Sequence, residues 1–120
     1  MSTHPNAILL LTLTPANTSR ATMRAILSEP EGGTEDTETD VRIGNANYHS
    51  VVMESNYDEQ WQLSAKEGDL LFFCMITYGY GESIPWGKLE SQKLELEEWA
   101  KKTCELHNCT YAISVGANYW

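Results

Sequence analysis

Three residues near the C-terminal end have the types from which a metal site is built. Cys104, His107 and Cys109 form a C-x2-H-x-C cluster. Zinc takes about four nitrogen or sulfur ligands in a tetrahedral shell, so this cluster would supply three. No fourth ligand stands near it in sequence, and only His4, His49 or a carboxylate brought in by folding would complete it. Cys104 and His107 also fall on the apolar side of a predicted helix, and Cys109 on an apolar strand face. Buried thiols and a histidine at a helix end account for the same pattern without metal. No cofactor is expected.

Cysteine–histidine catalysis needs a thiolate, a base and a third group that orients the base. Cys74 with His49 or His107 is the candidate pair. Cys74, however, stands inside the apolar run Leu70–Tyr78, where burial raises a thiol's pKa and leaves it inert. Seventeen acids guarantee chance carboxylate pairs, and Glu54, Asp58 and Glu59 carry no mark of acid–base chemistry. The loop Tyr78–Trp86, Tyr-Gly-Tyr-Gly-Glu-Ser-Ile-Pro-Trp, resembles neither the dinucleotide fingerprint nor the phosphate loop, and Glu82 repels a phosphate. Its aromatics suit a small pocket or an interface anchor, because Tyr and Trp bury much area at little entropic cost. Tyr80 and Trp86, with Trp61, are the candidate interface aromatics.

Charge gives the stronger signal. The 120 residues carry a net charge of −9, which disfavours direct contact with nucleic acid or anionic lipid, since both are bound through Lys and Arg. The charge is uneven. Residues 1–28 hold Arg20, Arg24 and no acid, whereas residues 29–69 hold eleven acids against Arg42 and Lys66. The densest part contains Glu29, Glu31, Glu35, Asp36, Glu38 and Asp40, interrupted by Pro30, Gly32 and Gly33. Such a run repels itself and has little to bury, so a flexible acidic loop is expected over about 29–40. It serves either solubility or the docking of a basic partner, since focused charge speeds encounter and selects partners.

The positioning elements follow from pattern. Ala7–Thr14 is a short apolar run that predicts a buried strand. Thr14-Pro15 suits a helix start, with Met23, Ile26 and Leu27 as its inward stripe, although Thr18, Ser19 and Thr22 weaken that helix. Val41–Ile43 and Tyr48–Glu54 read as strands about a Gly44-Asn45 turn, and Tyr57–Leu63 as a further short strand. Leu70–Tyr78 is apolar on both alternating sides, the signature of a strand covered front and back. From Ser83 and Pro85 to His107 the spacing predicts a long helix. Leu89, Leu96, Ala100, Thr103, Cys104 and His107 fall on its inner side, flanked by Trp99 and Leu106; Glu95, Glu98, Lys102 and Glu105 fall opposite, and Leu94 points to the polar side. Glu97–Lys101 and Glu98–Lys102 are its expected ion pairs. Asn108 provides a left-handed stop, and Cys109, Tyr111, Ile113 and Val115 alternate in a half-buried edge strand.

One α+β domain over 1–120 is therefore expected. Its predicted fold is a ferredoxin-like (split βαβ) sandwich: an antiparallel sheet of four to five strands with two helices on one face. Its uncovered second face favours a homodimer or a protein complex over a lone monomer. The short apolar N-terminal run, the lack of a basic start and the odd cysteine count point to a cytoplasmic protein without a membrane span.

The functional expectation is a non-enzymatic inhibitor or binding protein. Its carboxylates would occupy a basic site of nuclease or nucleic-acid-channel type on a protein or protein–nucleic-acid complex. Glu31, Glu35, Asp36, Glu38, Asp40, Asp58 and Glu59 are the candidate partner-binding residues. By analogy, phage anti-defence (anti-CRISPR-like) and toxin-immunity proteins are small acidic domains of this sort. The alternative is a small-ligand-binding or enzymatic domain with a pocket near Gly79–Trp86.

Overall fold

The computed structural model describes residues 5–34, 40–52, 67–76 and 83–119. The elements are β1 (Pro5–Pro15), α1 (Arg20–Leu27), β2 (Asp40–Ile43), β3 (Ala46–Val52), β4 (Leu70–Met75), α2 (Trp86–His107) and β5 (Cys109–Tyr119). The strands form one five-stranded sheet in the order β2-β3-β4-β1-β5. Every neighbouring pair is antiparallel. The molecule is thus an α+β domain, and its two most apolar strands lie inside the sheet, as their composition predicts.

Register explains why β1 and β4 must be interior. Leu9, Leu11 and Leu13 oppose Cys74, Phe72 and Leu70, whereas Ile8 and Leu10 oppose Met75 and Phe73. Side chains alternate across a strand, so the two sets leave on opposite faces. The first set joins Ile26 and Leu27 of α1 and Leu96 and Ala100 of α2 in one cluster, with Val41, Ile43 and Tyr48. The second set forms a separate cluster of Ile8, Leu10, Val51, Leu71 and Phe73. All five are buried within the single chain.

Several local expectations are corrected. Pro15 does not open a helix; it is the last residue of β1 and pairs with Cys109. The first helix starts later, at the Ser19 N-cap, whose hydroxyl oxygen accepts a hydrogen bond from the Thr22 N–H. A serine oxygen satisfies one of the donors a helix start leaves free, which proline cannot do. Ser83 likewise is not a cap: α2 begins after Pro85, with no side-chain cap bond. Leu106, expected at the edge of the buried stripe, is 68 % exposed. Glu97 pairs with Lys93 at 3.8 Å instead of Lys101, while Lys102–Glu98 forms as expected at 3.4 Å. The proposed strand Tyr57–Leu63 lies outside the described residues.

Two chain reversals hold the frame. Ile43 faces Ala46 across Gly44-Asn45, and Gly44 has φ +62°. That conformation costs glycine nothing and strains other residues. Asn108, at φ 54° and ψ 64°, ends α2 in the left-handed conformation, with its N–H donated to the Cys104 carbonyl. This is the predicted stop, and it turns the chain directly into β5.

Phe72 is fully buried and meets Trp99 edge-on at 5.3 Å between ring centroids. Phe72→Ala is expected to cost about 3–5 kcal/mol through lost burial and the cavity left behind. Leu106→Ser should change stability by no more than about 0.5 kcal/mol. Urea unfolding of the two variants beside the wild type measures both.

Candidate functional site

The C-x2-H-x-C cluster separates on folding. His107 Nε2 lies 2.9 Å from Glu29 Oε1, so the imidazole is held by the start of the acidic stretch. Cys104 and Cys109 contact each other, with Sγ atoms 3.1 Å apart. Among the described residues no three His, Cys, Asp or Glu side chains are grouped so as to hold a metal ion. The linear spacing misleads because His107 is engaged by Glu29, and Cys109 lies beyond the reversal at Asn108.

The fold does not bring Cys74 and His49 together. His49 opposes Phe73, one position from Cys74, and its ring packs edge-on against Phe73 at 5.4 Å. Cys74 packs with the helix-containing cluster, so the two side chains leave opposite faces of the sheet. Cys74 Sγ instead accepts a hydrogen bond from Gln92 Nε2 at 3.1 Å. Burial pushes its thiol above the ordinary value, against an opposing effect from Gln92. Tyr48 is raised further, again chiefly by burial. Its hydroxyl lies near Gln92 and Cys74 but makes no well-formed hydrogen bond to either.

The acidic stretch is anchored where it begins. Pro30 is buried, the Gly33 N–H donates to its carbonyl, and the Arg42 N–H donates to the Glu31 carbonyl at 2.8 Å. Glu31 thereby forms a short antiparallel bridge with β2. Its side chain and that of Asp40 are exposed, so two predicted binding carboxylates lie together along the β2 edge. Asp40 Oδ1 is 3.2 Å from His49 Nδ1 and remains 86 % exposed. Glu29 and Asp40 each form an ion pair with a histidine. The lysine ion pairs lie within α2. Glu35, Asp36, Glu38, Asp58, Glu59, Trp61 and Tyr80 lie outside the described residues.

Trp86, by contrast, is described, and it is 72 % exposed. It stands at the mouth of an open groove of about 390 Å³ between α2 and β5, lined chiefly by Leu89, Leu94, Ile113 and Val115, with Glu90 and Lys93 among its polar residues. Leu94 and Val115 are themselves more than half exposed. Of this group, sequence reasoning named only Trp86 as a binding residue. The available signal was Leu94, an apolar residue on the polar side of its helix; Val115 gave none, because alternation does not show where a helix ends above an edge strand.

The two sheet edges therefore differ in kind. The β2 edge carries Asp40, Arg42 and the adjoining Glu31, whereas β5 contains no charged residue over its eleven positions. Charged edges resist strand addition, and uncharged ones do not. Among the described residues no helix is long and apolar enough to cross a membrane. No family model matches the chain, and no curated protein or solved structure matches it either.

The Cys104 thiol is pushed up to about 12 from 9.0, first by burial and then by its hydrogen bond and charge interaction with Cys109. The folded state therefore keeps this proton where the unfolded chain releases it. The contribution to stability is complete below the unfolded value and shrinks as pH rises from about 9 toward 12. Unfolding midpoints should fall over that alkaline window, and Cys104→Ala should fall less steeply than the wild type. Equal slopes in a pH series of urea titrations would contradict the assignment.

Proposed function

We propose that the protein is a non-enzymatic binding protein that uses its acidic side to occupy a basic site on a partner. The observation that carries this reading is the exposure of Glu31 and Asp40 side by side along the β2 edge, with Asp40 86 % exposed. Glu29 and Asp40 meet histidine in their ion pairs. Glu31 and Asp40 face solvent on one sheet edge. Carboxylates held this way present negative charge outward, as phosphates do along a nucleic acid. A nuclease-type cleft or nucleic-acid channel is the matching surface, and the cytoplasm is the matching compartment. Inhibition of a defence complex or neutralisation of a toxin are activities this chemistry serves.

The frame we assign is the ferredoxin-like one. Four strands in the order β3-β4-β1-β5 correspond to the split βαβ arrangement, and β2 is an added edge strand. Both helices contribute to the cluster containing Leu9 and Phe72, which supports their lying on one face.

A second reading keeps the groove at Trp86 as the binding site for a small apolar ligand. The exposed Trp86, Leu94 and Val115 around a cavity favour it, because apolar concavities are where such ligands bind.

One experiment separates the two. The tagged full chain is used to retain a partner from the source extract, beside a variant with Glu31→Gln, Glu35→Gln, Asp36→Asn, Glu38→Gln and Asp40→Asn, and beside Trp86→Ala. The acidic reading expects a basic partner whose binding weakens steeply with salt, is displaced by duplex DNA and falls at least roughly tenfold in the neutralised variant. Retention that ignores salt, or that is lost only in Trp86→Ala, overturns it in favour of the groove.

A further inference from the structure

The contact between Cys104 and Cys109 is unused by either binding reading, and its setting is rigid. Cys104 lies in the last turn of α2, where its carbonyl accepts the Asn108 N–H. The Asn108 carbonyl in turn accepts the Ala16 N–H at 3.1 Å. Cys109 is the first residue of β5, in register with Pro15. The Cys104 backbone is thus held in the helix cap and Cys109 in register with a central strand, with Asn108 between them bonded to the exit of that strand, and both side chains are half-buried. Their sulfurs stand 3.1 Å apart. A disulfide needs about 2.05 Å, so joining them requires a closure of about 1 Å. The thiols also open onto a shallow depression of about 410 Å³ bordered by Lys101, Glu105 and Tyr111, through which a small molecule reaches them.

We propose that Cys104 and Cys109 are a reversible dithiol–disulfide couple, a modification site that exchanges with low-molecular-weight disulfides of the glutathione type. In the first step the Cys109 thiolate attacks one sulfur of the small disulfide. A mixed disulfide forms at Cys109 and one small thiolate leaves, taking up a proton. The Cys104 thiol then loses its proton to solvent and attacks the Cys109 sulfur, expelling the second small thiol. Two protein thiols are oxidised to one disulfide, and one small disulfide is reduced to two thiols. Cys109 acts first because burial keeps the Cys104 proton in place, and capping Cys109 removes the neighbouring thiol that also opposes ionisation of Cys104. The product ties the end of α2 to the start of β5 across the reversal at Asn108. Cys74 lies apart, bonded to Gln92, and takes no part.

The chain itself makes the test clean. Residues 103–120 contain no Lys or Arg after Lys102, so trypsin releases both cysteines in one fragment, while Cys74 leaves in fragment 67–88. The folded full chain and a urea-unfolded sample are equilibrated with glutathione disulfide and glutathione, quenched in acid, alkylated, digested and weighed. The expected native product is fragment 103–120 lighter by two hydrogens, with Cys74 alkylated. The ratio of closed disulfide to mixed disulfide should be at least roughly tenfold higher in the native sample than in urea, because the fold raises the effective concentration of one thiol at the other. Cys104→Ser should stop at Cys109 carrying one glutathione. The proposal is overturned if both thiols of the native fragment remain alkylated, if the native sample stops at the mixed disulfide, or if closure is equally favoured in urea. The wild-type comparison decides the matter even if the variant fails to fold.

Discussion

The central strand pair β1–β4 has to be hidden on both of its faces, and the rest of the structure follows from that. Neither strand alternates apolar with polar residues: Ile8, Leu9, Leu10 and Leu11 run apolar without a break, as do Leu70, Leu71, Phe72 and Phe73. Every one of these eight side chains is buried, and each contributes about 1.5–3 kcal/mol relative to exposure. A strand of this kind placed at a sheet edge would leave both its apolar surface and its backbone groups open. The interior places are therefore taken, and β2 and β5 are left as edges. The contrast between a charged edge and an uncharged one is a consequence of which sequences remained to fill those positions.

Helix α2 is tied to this sheet by polar contacts as well as by its apolar stripe. Glu95 accepts the Asn45 N–H at 3.0 Å and so holds the β2–β3 turn. Gln92 donates to Cys74, and His107 meets Glu29 beyond the end of α1. Each of these groups joins segments far apart in sequence. The contacts fix α2 at three separate places on the sheet and its loops, so they favour one orientation of the helix over sliding alternatives. Two of them engage residues with the chemistry of a metal or catalytic site. His107 is engaged by a carboxylate, and Cys74 is held in an apolar layer, where a thiol stays protonated.

Local pattern made much of the frame legible. The unbroken apolar runs gave β1 and β4 and their interior positions. The helical period from Leu89 to Cys104 gave α2, Asn108 gave its end, and alternation from Cys109 gave β5. Element starts were harder to read. Proline suits both the first turn of a helix and the end of a strand, and only the pairing of Pro15 with Cys109 decides between them. The candidate site was legible in part. The outward position of Glu31 and Asp40 agrees with their place in a charged stretch, whereas the groove beside Trp86 depends on how far α2 overhangs β5, which no single-residue property encodes.

What the amino-acid order determined alone is the inventory of surfaces: two doubly apolar strands, one amphipathic helix, an acidic middle third and an uncharged final strand. These depend on side-chain chemistry and on the fixed periods of helix and strand, which are local. What only the tertiary structure decided is which groups meet. The sheet register put Cys74 and His49 on opposite faces, and the turn at Asn108 brought Cys109 back onto Cys104 while His107 met Glu29. Such meetings are set by the packing of distant segments against a common core, and spacing along the chain carries no information about that distance.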